Sequence, residues 1–217
     1  MKIDFKPQTK LERAICDRDN SGIIYAIADD DCTLTALAPA SALGNECFSD
    51  GAVFSVLLLA ATPQQLQMMK SSWFRSQQKV SKRLCRLIDE ALAPLPQEHS
   101  NAEQQLICAI RRNDNAGIIR LIEQENARFY SFAPEIATHL PQLAPAAALS
   151  LLRDGLSAKL QALIFALFIK ETENPEHLAN FTYQERIKYT NIMIKILTGC
   201  NISAETIWYP ENINNWS

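Results

Sequence analysis

The sequence predicts an all-α protein of two tandem helical modules, in which antiparallel helix pairs stack into a short α-solenoid. Three observations support this fold class. Apolar residues recur at the i, i+3, i+4 spacing of helices, without the alternation of strands. Only 6 of the 217 residues are glycine, too few for a fold built on many tight hairpins. Finally, one stretch of the chain matches another that lies 95 residues later.

The internal repeat runs from Leu11 to Leu57 and matches the stretch from Leu106 to Leu152 without a gap. Fifteen positions are identical, nine of them within the first seventeen residues, where unrelated sequences would share about three in all. A tandem duplication is the simplest account. A weaker likeness between residues 21–27 and 50–56 suggests a finer unit of about 32 residues inside each copy.

The helices follow from apolar spacing and turn signals. In the first hairpin, apolar faces at residues 11–15 and 23–27 flank Asp-Asn-Ser-Gly at residues 19–22, a run that favours turns and caps over helix interior. Further helices are predicted at residues 51–60, 64–92 (continuous or interrupted), 103–112, 116–125, 131–140, 145–153, 157–171 and 183–198.

The module boundary is predicted where proline punctuates the chain, at Pro94 and Pro96. We predict a first module at residues 1–95, a linker at 96–103 and a second module at 104–217. The second module is expected to end in a cap that contains Trp208 and Trp216, because a solenoid end must cover its last apolar face. The alternative is that these aromatic residues anchor a partner.

Charge and composition predict a soluble cytoplasmic protein. The net charge of -3 provides no field that would attract nucleic acid. The six cysteines form no C-x-x-C pair and are typical of reduced thiols in a cytosol. No signal peptide is expected at the start of the chain, because no apolar run follows its basic residues, although export by a specialised secretion system stays open. No membrane span is expected, because the most apolar run is about half the roughly 20 residues required.

A resemblance to a known family follows from the repeat. The pattern Leu-x-x-Ala-Ile, a polar turn and Gly-Ile-Ile-x-x-Ile at residues 11–27 resembles the helix-turn-helix body of an ankyrin repeat, as does the stretch at 147–155. The likeness is degenerate and covers about half the chain: the Thr-Pro-Leu-His opening is missing. It implies a protein-binding scaffold without catalysis. An unrelated helical repeat or a duplicated helical bundle is the alternative.

Basic residues follow a pattern in the predicted helix after residue 70. Arg75, Lys79, Lys82 and Arg86 are spaced 4, 3 and 4 apart, so they fall within about 60° on one face. Trp73 lies on the opposite, apolar face. One interpretation is the solvated back of an amphipathic helix. The functional interpretation is a partner-binding site, formed by these five residues, that docks on an acidic protein surface.

The run from Leu160 to Ile169 is apolar on nearly every side of its predicted helix. A helix of this kind is typically buried on all sides. It is therefore expected in the centre of a core, and the alternative is a homodimer or self-assembly surface.

The sequence assigns no catalytic, cofactor or metal residues. Asp29, Asp30 and Asp31 could offer oxygen ligands to a divalent cation but are more typical of a solvated connection. The three histidines, His99, His139 and His177, lie in linker or helix-end contexts. We therefore expect a non-catalytic protein-protein interaction scaffold, such as an adaptor, inhibitor or bacterial effector-type binder. The rival classes are an enzyme with a cysteine nucleophile and a self-assembling structural protein.

Overall fold

The computed structural model describes residues 6–29, 31–170 and 178–205, and all regular structure in these ranges is helical. Phe129 and Leu156 form an isolated parallel bridge, but these ranges contain no strand. The all-α prediction is therefore confirmed. Within the same ranges, no helix is both long enough and apolar enough to cross a bilayer.

The first compact unit contains the described residues up to Pro94, together with Leu197–Gly199. Helix α1 packs against α2, and α2 packs against α3. A 3-10 helix at Pro39–Gly44 lies against α1, and a short π-helix at Val56–Ala60 continues α3. The helices are α1 (Lys10–Asp17), α2 (Asn20–Ala28), α3 (Asp50–Ser55), α4 (Pro63–Lys70), α5 (Ser72–Gln77) and α6 (Lys82–Leu92). Fully buried core residues include Leu11, Ile15, Ile23, Ile24, Leu43, Phe54, Leu57 and Phe74.

The second compact unit runs from Leu95 to Ile196 and resumes at Cys200. Helix α8 packs against both α7 and α10, and α7 packs against α9, which a 3-10 turn at Leu140–Gln142 continues. The helices are α7 (Asn101–Arg111), α8 (Asn115–Glu123), α9 (Pro134–His139), α10 (Pro145–Arg153), α11 (Ala158–Ile169) and α12 (Tyr183–Thr198). Fully buried core residues include Leu106, Ile110, Ile118, Phe129, Leu140, Leu151, Phe165 and Met193.

Four helical segments begin 95 residues apart in the two units. The pairs are α2 and α8, the 3-10 helix at Pro39–Gly44 and α9, α3 and α10, and α4 and α11. The hairpin turns also share an unusual backbone. Arg18 and Asn113, again 95 residues apart, both take the left-handed conformation, with φ of 59° and 52°. The first hairpin of each unit therefore turns in the same way.

An asparagine joins this hairpin to the next helix in both units. The side-chain oxygen of Asn20 accepts a hydrogen bond from the Ser49 N–H at 3.1 Å. The oxygen of Asn115 accepts one from the Ala144 N–H at 2.8 Å. Ser49 and Ala144 are the N-caps of α3 and α10. Each asparagine thus satisfies a backbone donor just before a helix, where no intrahelical acceptor is available.

The turn between α1 and α2 is tighter than predicted. The prediction placed Asn20, Ser21 and Gly22 in the turn, but all three belong to α2, and only Arg18 and Asp19 connect the helices. The left-handed residue reverses the chain so abruptly that no further turn residues are needed. In the second unit a Cβ at the matching Gly117 would lie 2.1 Å from Asp114 Oδ2, so glycine makes room for the N-cap carboxylate.

The segment between the two units is irregular from Ala93 to Ser100. Helix α7 begins at Asn101, inside the predicted linker, because Ser100 and Glu103 form a capping box. In that motif the two residues satisfy each other's backbone N–H groups and start a helix early. The division into modules at 1–95 and 104–217 stays a prediction.

A buried carboxylate fixes the long loop of the second unit. Glu103 is 3% exposed. Its Oε2 accepts the Ser100 N–H at 2.6 Å, and its Oε1 accepts the N–H groups of Tyr130 and Ser131 at 2.8 and 3.1 Å. The Ser131 hydroxyl donates to the same oxygen at 2.9 Å. Burial alone would raise the pKa of Glu103, but these hydrogen bonds outweigh it and lower the pKa from 4.5 to about 2.

The first unit contains an equivalent device. Glu12 is fully buried, and its Oε1 accepts the Thr35 N–H at 2.7 Å and the Ala36 N–H at 3.3 Å. Burial would raise the pKa of Glu12, but hydrogen bonds from Thr35, Gln8 and Ala36 lower it overall. The captured loop residues are 95 residues apart in the two units, whereas the two glutamates are 91 apart. In the 95-residue register, Glu103 therefore lies four residues, about one helical turn, before the position that matches Glu12, yet its carboxylate binds the same loop.

We predict that protonation of Glu103 destabilises the protein in acid. Because its pKa is lower in the folded state, its contribution is fully present above pH 4.5 and is lost as the pH falls towards about 2. The contribution is about 3 kcal/mol. Urea unfolding followed by circular dichroism between pH 7 and 2 should show a shallower acid loss in Glu103→Gln than in the wild type. Glu98→Gln, at an exposed site, should keep the wild-type slope. Equal slopes in all three proteins would contradict the prediction.

Candidate functional site

The helix predicted at residues 64–92 is divided into α4, α5 and α6. The four cations of the predicted stripe therefore do not lie on one helix face. Ser71 caps α5 by accepting the Phe74 N–H, and Ser81 caps α6 by accepting the Leu84 N–H. Between them, Lys79 takes the left-handed conformation with φ of 48°. The 4, 3 and 4 spacing therefore crosses a break in the backbone. The two serines were the sequence signals for that break, because serine is a preferred N-cap.

Two of the predicted binding residues are held by carboxylates of the same unit. Arg75 pairs with Asp89, with Nη2 and Oδ1 2.9 Å apart. Arg86 pairs more loosely with Asp50, with Nη2 and Oδ2 3.6 Å apart. Both arginines thus have part of their charge balanced internally, and they are weaker candidates for contact with a partner than the sequence implied.

Arg83, which falls outside the predicted stripe, is a structural residue. Its Nη1 donates to the Asn45 carbonyl at 2.6 Å, and its Nη2 donates to the Phe48 carbonyl at 2.7 Å. The guanidinium also pairs with Asp50. A planar fork of donors suits several acceptors at once. Arg83 therefore fastens α6 to the loop before α3, which sequence spacing alone does not reveal.

The lysines of this region remain exposed. Lys70, Lys79 and Lys82 all have exposed side chains. Among the ion pairs of the described residues, none involves these three. Their charges are therefore available to a binding partner.

Two large apolar side chains lie beside the lysines in the chain. Trp73 is 64% exposed on α5, and Met68 is 45% exposed near the end of α4. In the second unit the residue 95 positions after Trp73 is Phe168, which is 8% exposed and stacks against Tyr189. Exposure of Trp73 is therefore not a general property of this helical position. We call the set Met68, Lys70, Trp73, Lys79 and Lys82 the Trp73 surface.

The apolar helix α11 is largely buried. Leu160, Ile164 and Phe165 are at most 2% exposed, and Phe168 is 8% exposed. These side chains belong to the core of the second unit. A Phe165→Glu substitution would thus place a charge in that core, so it cannot test a homodimer through residues 160–169.

The thiol of Cys16 is not activated as a nucleophile. Burial, followed by the nearby charges of Asp17 and Glu12, raises the pKa of the Cys16 thiol. A higher pKa leaves less thiolate at neutral pH, which is the reverse of what nucleophilic catalysis requires. None of the six cysteines is in a disulfide, and Cys16, Cys47, Cys108 and Cys200 are exposed.

His99, Ser131 and Glu103 lie together but in the wrong order for a nucleophilic triad. His99 Nδ1 is 2.7 Å from Ser131 Oγ, and the Ser131 hydroxyl donates to Glu103. In a triad the histidine lies between the hydroxyl and the acid. Ser131 is moreover 2% exposed. The cluster therefore positions the loop rather than a substrate.

Two of the three candidate metal ligands, Asp29 and Asp31, lie in the part of the chain that the structure describes. No group of three or more His, Cys, Asp or Glu side chains is close enough there to hold an ion. Asp29 pairs with Lys10 at 3.5 Å. Asp30 lies outside the described residues, as do His177 and the predicted cap around Trp208 and Trp216.

A polar cavity of about 360 Å³ opens on the second unit. Arg128 Nε donates to the Asp154 carbonyl at 3.0 Å, and Arg153 Nε donates to the Asp154 carboxylate at 2.7 Å. The Arg128 contact joins the loop after α8 to the C-terminal end of α10. The lining is Ile122, Glu123, Asn126, Arg128, Arg153 and Asp154, which carries equal numbers of positive and negative groups and so favours neither kind of ion.

No protein-family model, no curated protein and no solved structure matches this chain.

We predict that Arg83→Lys lowers the free energy of unfolding by about 1–3 kcal/mol, because lysine keeps the charge but cannot reach the same acceptors with a fork. Arg86→Lys is the matched control, since Arg86 is exposed and its ion pair is longer. That variant should change stability by less than about 0.5 kcal/mol. Urea denaturation measures both. Equal effects would show that Arg83 is not the clamp described above.

We predict that Cys16 is alkylated more slowly by iodoacetamide in the folded protein than in the same chain unfolded in urea. The raised pKa of the thiol reduces its thiolate fraction in the folded state. Peptide mass spectrometry of a time course at pH 8 measures the rate at this residue. A folded-state rate above the unfolded rate would instead indicate an activated thiol and would favour the enzyme class.

Proposed function

We propose that this protein is a non-catalytic scaffold for protein-protein recognition, built from two copies of one helical-repeat module. The observation that carries the proposal is the exposure of Trp73 and Met68 in a stretch of the chain that also contains three exposed lysines. Tryptophan is among the residues that contribute most to binding at protein interfaces. A large indole in water has a hydrophobic cost that a partner's apolar pocket would remove.

The modular part of the proposal is supported by the shared geometry of the two units. Arg18 and Asn113 both take the left-handed conformation, and Asn20 and Asn115 both bond to the N-cap of a following helix. Short helix pairs of this kind cannot bury their apolar faces alone, so stacking along the chain into an α-solenoid is the arrangement we propose. An ankyrin-like ancestry belongs to the same proposal.

The Trp73 surface fits recognition better than catalysis. It combines an aromatic side chain, a flexible thioether and mobile lysines, which are suited to contact with a protein but supply no nucleophile with an adjacent base. A cytoplasmic place of action accords with six cysteines that form no disulfide, four of which are exposed. The protein would act there as an adaptor, an inhibitor or an effector-type binder.

The proposal predicts that Trp73→Ala removes binding partners without unfolding the protein. Immobilised wild type and Trp73→Ala would be compared in affinity capture with quantitative mass spectrometry, and the captured proteins would then be titrated by calorimetry. We expect an affinity loss of tenfold or more, which is typical of a dominant aromatic anchor.

Tyr183→Ala is the matched control, since Tyr183 is 69% exposed on α12 of the second unit. Both variants should keep the wild-type melting temperature, because neither side chain belongs to a core. If Trp73→Ala binds every captured protein as tightly as the wild type does, the Trp73 surface is not the recognition site.

A further inference from the structure

We propose that the Trp73 surface binds a short acidic segment of a partner protein, in which an apolar side chain packs on Trp73 and Met68 while carboxylates pair with Lys79 and Lys82. This inference rests on the proposed function and names the chemistry of the partner.

The start of α6 concentrates positive charge. Lys82 and Arg83 occupy its first turn, which contains no acidic residue. The N-terminal end of a helix itself has partial positive charge, so natural helices favour acidic residues there. Lys79 adds a further cation just before the helix. Asp50 pairs with both Arg83 and Arg86 and so balances only one of these two charges, while Lys79, Lys82 and the helix end remain available to a partner.

Two carboxylates of this unit are engaged by arginines. Asp50 pairs with Arg83 and Arg86, and Asp89 pairs with Arg75. Among the ion pairs of the described residues, none involves Lys79 or Lys82. These two exposed cations are therefore complementary to an acidic segment.

The amount of charge distinguishes a protein partner from a lipid or nucleic acid. Anionic membranes are typically recognised by clusters of four to eight basic residues. The Trp73 surface has three lysines, on a chain with a net charge of -3. Binding to DNA or RNA also depends on many phosphate contacts. Three lysines beside one indole suit a limited number of carboxylates.

The spacing of the two subsites sets the length of the segment. Trp73 is the second residue of α5, which ends at Gln77, and Lys79 follows two residues later. Trp73 and Lys79 are six positions apart in a segment that is helical as far as Gln77, so at a rise of about 1.5 Å per residue their Cα atoms are on the order of 10 Å apart. An extended peptide covers that distance in about three residues. The expected motif is therefore an apolar residue about three positions from a pair of Asp or Glu residues.

A displayed library of random twelve-residue peptides tests this chemistry. The library would be selected on the full-length wild-type chain after depletion on full-length Trp73→Ala. We expect enriched peptides to contain at least twice the library's frequency of Asp and Glu, grouped near an apolar residue. Enrichment without excess acidic residues, or no enrichment at all, would overturn the inference.

The most enriched peptide would then be titrated against charge-reversed variants by fluorescence anisotropy. Lys79→Glu/Lys82→Glu should weaken binding about tenfold or more, since two attractions become repulsions. The matched control is Arg13→Glu/Arg112→Glu, which changes the net charge equally at two other exposed sites. Equal losses in both double variants would overturn the inference, because net charge rather than the Trp73 surface would then govern binding.

The same variants separate this inference from the proposed function. If captured proteins need Trp73 but bind Lys79→Glu/Lys82→Glu as well as the wild type, the scaffold stands and the acidic partner is wrong. If they do not need Trp73, the proposed function itself fails. Co-sedimentation with vesicles containing 30% phosphatidylserine, lost in Trp73→Ala, would identify a membrane as the ligand and overturn the acidic segment.

Discussion

The fold depends on how a chain of short helices holds its long loops in place. Most of these helices have between six and twelve residues, and helices of that length are marginal in water without tertiary contacts. In each unit a buried glutamate near the start of the first helix accepts backbone N–H groups from the loop that follows the first hairpin. A charged acceptor in a buried site makes these hydrogen bonds strong. These hydrogen bonds fix the position of the loop beside the hairpin, and the next helical segment begins at the end of this loop.

Arginine and lysine side chains have different roles in the first unit. Arginine, with its planar fork, is used for internal fastening, as in the bonds from Arg83 to two carbonyls and to Asp50. Lysine, a flexible point charge, is left at the exterior. The basic character of the sequence between residues 70 and 87 thus separates into two roles. The four cations of the predicted stripe are thus two arginines with internal carboxylate partners and two exposed lysines.

The two units differ in the helical segment that contains Trp73 in the first unit and Phe168 in the second. In the second unit, α11 runs without interruption, and Phe168 is covered by Phe181 and Tyr189. In the first unit, Ser71 ends α4 and begins α5, so the matching Trp73 is turned out to solvent. The helix break at Ser71 thus accompanies the exposure of Trp73 in the first unit.

Local sequence determined the helices, since apolar spacing and cap residues act over a few positions. The local sequence predicted α10 at residues 145–153 and α12 at 183–198. It also predicted matching hairpins 95 residues apart. It did not reveal the capture of loops by Glu12 and Glu103, because the two glutamates occupy different positions in the repeat. Nor did it separate Arg75 from Lys79, since the difference depends on Asp89, a partner brought near only by folding. Helix formation is a property of neighbours in the chain, whereas burial, ion pairing and exposure depend on which distant residues arrive beside them.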